Sequence, residues 1–134
     1  MKTTDFRATN LRATDLMIGD WVKLSKGNWS KNRQVGLTDI EMIAESVYLA
    51  EPIPLTPEIL EKNGFVKVID RYIKDTEEWK LCCDKIRITI NPFTGYALAY
   101  KGAWLPVLNN LYFKNVHELQ RALKLCGINK EITL

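Results

Sequence analysis

A chain of 134 residues that is 46% hydrophobic and 26% charged is long and apolar enough to bury a real core, which argues against disorder as its main state. Its net charge of +3 is spread thinly: residues 1–55 carry 7 basic and 7 acidic groups and residues 56–134 carry 12 and 9, so neither half is a basic domain. No apolar run approaches the ~20 residues that cross a membrane, and the opening MKTTDFRATNLRATDL lacks the apolar centre of a secretory signal, so a cytoplasmic protein without membrane contact is expected.

Along the chain, FRATNLRATDL repeats an apolar residue every five positions (Phe6, Leu11, Leu16), which matches neither the helical nor the strand period and reads as a chance echo or as a pair of turns. In LMIGDWVKL, Gly19-Asp20 signals a turn and Trp21–Leu24 is rich in strand formers. KGNWSKNR reads as a polar loop. QVGLTDIEMI and ESVYLAEPI alternate apolar and polar residues over short runs (Val35, Leu37; Ile40, Met42; Val47, Leu49), which predicts short strands in a small curled sheet or an SH3-like barrel.

The stretch EPIPLTPEILEKNGF, residues 51–65, has a local explanation at nearly every position. Pro52 and Pro54 lack an amide hydrogen and exclude a central strand. Thr56 suits a helix N-cap and Pro57 the first helical position, with Leu55 and Leu60 placed as a hydrophobic staple. Ile59 and Leu60 face inward, and Asn63-Gly64 ends the helix, with a positive φ expected at Gly64. The stretch is therefore a structural joint.

Beyond it, FVKVIDRYI, EWKLCCD, KIRITIN and GYALAYKG read as strands. Ile86, Ile88 and Ile90 alternate with polar residues, as do Tyr96, Leu98 and Tyr100, the pattern of a sheet buried on one face. NPFTG between them has hairpin-loop chemistry. WLPVLNNLYF is strand or loop. A last helix follows, with Asn115 and Glu118 as a capping box, Leu119, Ala122, Leu123 and Cys126 as its apolar stripe, and Gly127 as its end; the terminal EITL could return as a short edge strand. The expected fold is α+β and mostly antiparallel, with a small β subdomain at 1–55 and an α+β subdomain at 56–134, unless the two form one continuous domain.

Chemistry-bearing motifs are few. There is no GxGxxG, Walker-type loop, HExxH or CxxC. The three cysteines are an odd set without framework spacing, and Cys82 and Cys83 would point to opposite faces of a strand, so all three read as free thiols and no metal or cofactor is expected. His117, the only histidine, sits early in a helix where its charged form is disfavoured, and reads as a surface or capping side chain. The carboxylate pairs Glu77-Glu78 and Asp39/Glu41 read as solvated strand ends. No catalytic residue is assigned.

Three segments, LMIGDWV, EPIPLTPEILEKNGF and VHELQRALKLCGINKEITL, resemble the recurring blocks of a family of small uncharacterised proteins of Bacteroidales bacteria and their phages or mobile elements. That family typically shows an IGNWV-like strand, a PIPLTEEWLLKFGF-like centre and a VHQLQNLYFALTGEEL-like end. The central block is the most specific, although Ile59 or Leu60 stands where the family often has tryptophan; at the end Val116, His117, Leu119 and Gln120 are kept. The resemblance implies a cytoplasmic origin and carries no activity.

The leading expectation is a small non-enzymatic interaction module that binds protein partners, resting on the missing catalytic signatures and on Trp29 and Trp104 in loop-like contexts; the plainer reading of the two rings is that both pack into the core. The alternative is a weak nucleic-acid contact by WVKLSKGNWSKNR, where Lys23, Lys26, Lys31 and Arg33 surround Trp29. A small enzyme whose site is assembled from distant residues is the third class.

Overall fold

The computed structural model describes residues 10–68, 77–81, 86–91, 95–100, 103–105 and 112–134. It divides into two compact units, Met1–Pro54 and Leu55–Leu134.

The first unit has a three-stranded antiparallel sheet of β1 (Trp21–Lys26), β2 (Trp29–Gln34) and β3 (Leu49–Pro52), in the order β2-β1-β3. A 3₁₀ turn at Ala13–Asp15 precedes it, and helix α1 (Leu37–Ala44) links β2 to β3. The core is Leu16, Val22, Leu24, Val35, Ile43 and Ala50, flanked by Leu11, Ala13, Ile40 and Tyr48. Among the described residues no strand joins the outer side of β2 to that of β3, so the unit holds the small sheet of the two expected forms and no closed SH3-like barrel.

Further expectations for this unit are corrected. The polar loop KGNWSKNR is a hairpin turn followed by a strand: Lys26 pairs with Trp29, so only Gly27 and Asn28 form the turn. Gly27 has φ +58° and Asn28 a negative φ, the type II′ pattern whose twist matches the flanking strands. LTDIEMIA is helix and not alternating strand. Leu37, Ile40 and Ile43 recur every three residues, and the Gly36 N–H donates to Asp39 Oδ2 at 2.9 Å, tying off the first turn. Asp39 is thus buried and capping, not a solvated strand end.

Helix α1 stops in a Schellman motif. The Ser46 N–H donates to the Ile43 carbonyl at 3.0 Å and the Val47 N–H to that of Met42 at 2.8 Å. Ser46 takes the left-handed position at φ +62°, where glycine is usual. In β3 the faces are the reverse of those expected: Ala50 is buried and Leu49 is exposed.

The second unit holds an antiparallel sheet in the order β4-β5-β6-β7-β8, with β9 also beside β7. The strands are β4 (Val66–Val68), β5 (Glu77–Lys80), β6 (Ile86–Asn91), β7 (Gly95–Tyr100), β8 (Ala103–Leu105) and β9 (Tyr112–Phe113). Ile86 and Ile88 are buried with Arg87 exposed between them. β7 departs from one-face burial, because Ala97 and Ala99 are buried along with Tyr96 and Leu98. It is the central strand, paired with β6 on one edge and with β8 and β9 on the other. Gly95 opens it at φ +106°, and a Cβ there would lie 2.7 Å from the Phe113 carbonyl oxygen, so β9 reaches its place only because residue 95 has no side chain.

Helix α2 (Pro57–Lys62) forms as its sequence dictates. Thr56 Oγ1 accepts from the Ile59 N–H at 3.3 Å, Pro57 takes the first position, Leu55 and Leu60 are buried, and Gly64 has φ +87°. Helix α3 (Val116–Leu125) starts with Glu118 Oε1 accepting from the Asn115 N–H at 3.2 Å and from its side-chain amide at 3.0 Å. Leu119, Ala122, Leu123 and Cys126 are all buried. EITL is not a strand; it is held by Asn63, whose amide donates to the carbonyls of Ile59 and Thr133 at 2.8 Å each and accepts from the Thr133 N–H at 2.7 Å.

Candidate interaction surface on the first hairpin

The β1–β2 hairpin carries five of the six residues that the sequence marks as contact candidates. Strand pairing decides which of them act together, because residues opposite one another on neighbouring strands share a face. Lys26 faces Trp29, Leu24 faces Lys31 and Val22 faces Arg33. Lys26, Trp29, Lys31 and Arg33 therefore lie on the face that also holds Val22, Leu24 and Ala50. Lys23 is on the opposite face, opposite Asn32 on one side and Glu51 on the other. The four cations are thus not one cluster.

On the shared face, β2 extends beyond the core. All six of its residues are exposed. The ring of Trp29 is 41% exposed and lies 5.7 Å from that of Tyr48, tilted by 31°. It is neither a loop residue nor a core residue, but a half-covered ring at the start of an edge strand. Arg33 pairs with the capping carboxylate of Asp39 at 3.5 Å. Among the described residues, Lys26 and Lys31 have no ion-pair partner.

Backbone groups complete the surface. In a two-residue hairpin the closing pair is hydrogen-bonded and the pattern then alternates. Trp29, Lys31 and Arg33 therefore turn their N–H and C=O toward β1, as does Val35, whose N–H donates to the Asp20 carbonyl at 2.9 Å. Ser30, Asn32 and Gln34 turn theirs outward.

The remaining candidates belong to the second unit. Trp104 lies in β8 of the second unit, in a strand rather than a loop, and its side chain is outside the described residues. His117 is buried, not at the surface: at 3% exposure it is part of the interior side of α3. Glu78 is bound to Arg87 at 2.9 Å and Glu77 to Lys67 at 3.5 Å, both across strands. Cys82 and Cys83 lie outside the described residues, while Cys126 is a free, buried thiol that burial pushes up from its ordinary pKa. Among the described residues, no group of three or more His, Cys, Asp and Glu side chains is placed to hold a metal, and no helix is long and apolar enough to cross a membrane.

One cavity of about 300 Å³ opens in the first unit between Leu11, Ile43, Ala44, Leu49 and Ala50, with Arg12, Ser46 and Tyr48 as its polar members. The Arg12 side chain is 82% exposed and paired with Asp15 at 3.5 Å, so its charge is turned to solvent. Compared with family models, curated proteins and solved structures, the chain matches none.

Proposed function

We propose that the chain is a small non-enzymatic interaction module that works through protein partners, with the β1–β2 hairpin as its contact surface. The observation that carries this reading is that β2 is exposed along its whole length while placing a half-exposed tryptophan and two cations on one face, with Lys26 beside them. Aromatic rings and arginine are the side chains most enriched where proteins meet. A folded hairpin also presents them at little entropic cost, because their backbone is already fixed.

A second reading, single-stranded nucleic acid, is favoured by the placing of the Trp29 ring beside Lys26 and Lys31. Its magnitude is small. Arg33 is engaged by Asp39 and Lys23 is on the other face, which leaves two cations on the ring's side. Two phosphate contacts give a salt slope of only about −1.4, so binding at physiological salt is weak.

The test is retention of partners by the immobilised protein, compared with a Lys26→Glu/Lys31→Glu variant of unchanged melting temperature. A protein held by the first and lost by the second supports the reading. Equal retention by both, or none by either, sinks it. In parallel, submicromolar binding of a labelled oligonucleotide at physiological salt, abolished by the same reversal, would put nucleic acid first.

A further inference from the structure

We propose, resting on that reading of the hairpin, that the partner contributes an extended acidic segment that adds to β2 as a fourth strand. The sheet of the first unit has two edges, and they are not equivalent. On β3, Leu11 forms a bridge to Ala50, its N–H donating to the Ala50 carbonyl at 2.8 Å, and Pro52 ends the strand without an N–H to offer. That edge is blunted in the ways proteins protect exposed strands. β2 has neither device, and the guards on it are the charges of Lys31 and Arg33, which repel a strand of like charge. Over its six residues it contains no proline, it stays in register with β1 without a bulge, and among the described residues no strand pairs with its outer side.

The outward row of Ser30, Asn32 and Gln34 offers three N–H and three C=O groups. An incoming strand would meet them with its own main chain, which is the basis of recognition by strand addition. Side chains then set the specificity. On one face the newcomer passes Trp29, Lys31 and Arg33, at alternate positions about 6.8 Å apart, the spacing of same-face side chains on any strand. On the other face it passes Ser30, Asn32 and Gln34, which are polar and uncharged. On the face of Trp29 the hairpin carries Lys26, Lys31 and Arg33; Arg33 is paired with Asp39 at 3.5 Å, so Lys26 and Lys31 supply the attraction for an anion. The occupant is therefore a segment with acidic residues at alternate positions, small polar residues between them, and an aromatic or apolar residue to lie beside Trp29 and Tyr48. A strand with cations in the acidic positions is repelled, which supplies the selectivity. Nucleic acid would use the cations and the ring but leave the outward row of amides and carbonyls unmatched.

The experiment uses the full chain and a fluorescein-labelled nine-residue peptide that alternates glutamate with threonine and carries one tryptophan, read by anisotropy at near-physiological salt. The expected result is saturable binding. It should weaken about tenfold or more when lysine replaces glutamate, and again when alternate peptide amides of the acidic probe are N-methylated, since methylation removes the donors that reach β2. Asn32→Pro, which deletes an outward N–H at a position where an edge strand tolerates proline, should weaken it similarly without a change of charge. Equal binding of the methylated and unmethylated probes overturns strand addition, while loss of both with Lys26→Glu/Lys31→Glu would leave the hairpin surface standing. Absence of binding by the acidic probe overturns the proposal, and the partner-retention comparison then decides the hairpin reading separately. Tighter binding of labelled oligothymidine than of the peptide also overturns it, in favour of nucleic acid.

Discussion

Asn63 offers the sharpest test of how the second unit is held together. Its side chain is 4% exposed and makes three hydrogen bonds, to the Ile59 carbonyl at 2.8 Å, to the Thr133 carbonyl at 2.8 Å and from the Thr133 N–H at 2.7 Å. Asn63→Ala deletes all three and leaves the main-chain groups of Thr133 without that partner. At about 1 kcal/mol net for each bond, the loss is about 2–3 kcal/mol. For a cooperative unit of this size that lowers the melting temperature by about 10–20 °C. Asn63→Asp separates hydrogen bonding from shape. Its second oxygen would face the two carbonyls that the amide nitrogen faces now, so the charged form is disfavoured and the native pKa rises above the ordinary value of about 3.9. A raised native pKa means stability that is present below the unfolded value and is lost as pH rises through the native one. The aspartate variant should therefore be at least as unstable as the alanine variant at pH 7 and should recover toward pH 3–4. Thermal melts followed by circular dichroism at both pH values check this. An alanine variant melting within about 2 °C of the parent chain, or an aspartate variant with no recovery in acid, would refute the reasoning.

Other perturbations follow from single residues. Gly64→Val should cost about 1 kcal/mol or more in urea unfolding, because a β-branched residue resists the positive φ of +87° that ends α2. Gly95→Ala should cost more than that, since it adds a 2.7 Å approach to the Phe113 oxygen on top of φ +106°. Ser46→Gly should raise the stability of the first unit by about 0.5–1 kcal/mol by relieving the left-handed serine at φ +62°, and an unchanged or lowered urea midpoint would count against it. The Tyr96 hydroxyl, which donates to the Leu55 carbonyl at 2.7 Å, is pushed above its ordinary pKa, first by burial and then by the nearby charges of Glu58 and Glu77. The Cys126 thiol is raised by burial. Both groups hold their protons more tightly in the folded state. Their contribution is complete below the unfolded pKa values of about 8.5 and 10 and is lost as pH rises through the folded ones. A urea series from pH 7 to 11 should show that fall, and Tyr96→Phe should flatten its upper part.

How far the sequence could be read depended on whether a decision was local. Thr56, Pro57 and Gly64 around α2, and Asn115 with Glu118 at α3, act within a few residues, and the helices form where those residues place them. The hairpin was hidden because Trp29–Gln34 is exposed on both faces, so apolar alternation, the usual mark of a strand, has nothing to display there. Its signal was the Gly27-Asn28 pair, a two-residue turn type that strand composition alone does not reveal. Helix α1 has eight residues and few apolar positions, and the side chain that fixes its start, Asp39, looks like any solvated carboxylate until its bonds to Gly36 and Arg33 are seen. The candidate surface was legible as a set of residues but not as an arrangement. Only pairing shows that Lys23 stands apart from Lys26, Lys31 and Arg33. The bond between Asn63 and Thr133 spans 70 positions and left no local trace at all.

That distance sets an order of events when the chain is made. The first unit closes its contacts among residues up to Pro54 and can finish while the rest is still being synthesised. The second cannot. Asn63 emerges early and must hold water in place of a partner until Thr133 arrives, and Ile132, buried in the finished protein, comes just before it. Closing so long a loop adds little to the free-energy cost, because that cost grows only logarithmically with length. The delay is one of time. A nascent chain stalled after Pro54 has emerged but before Thr133 has would display the first unit joined to an unlatched second one, and proteases and chaperones would meet the latter first.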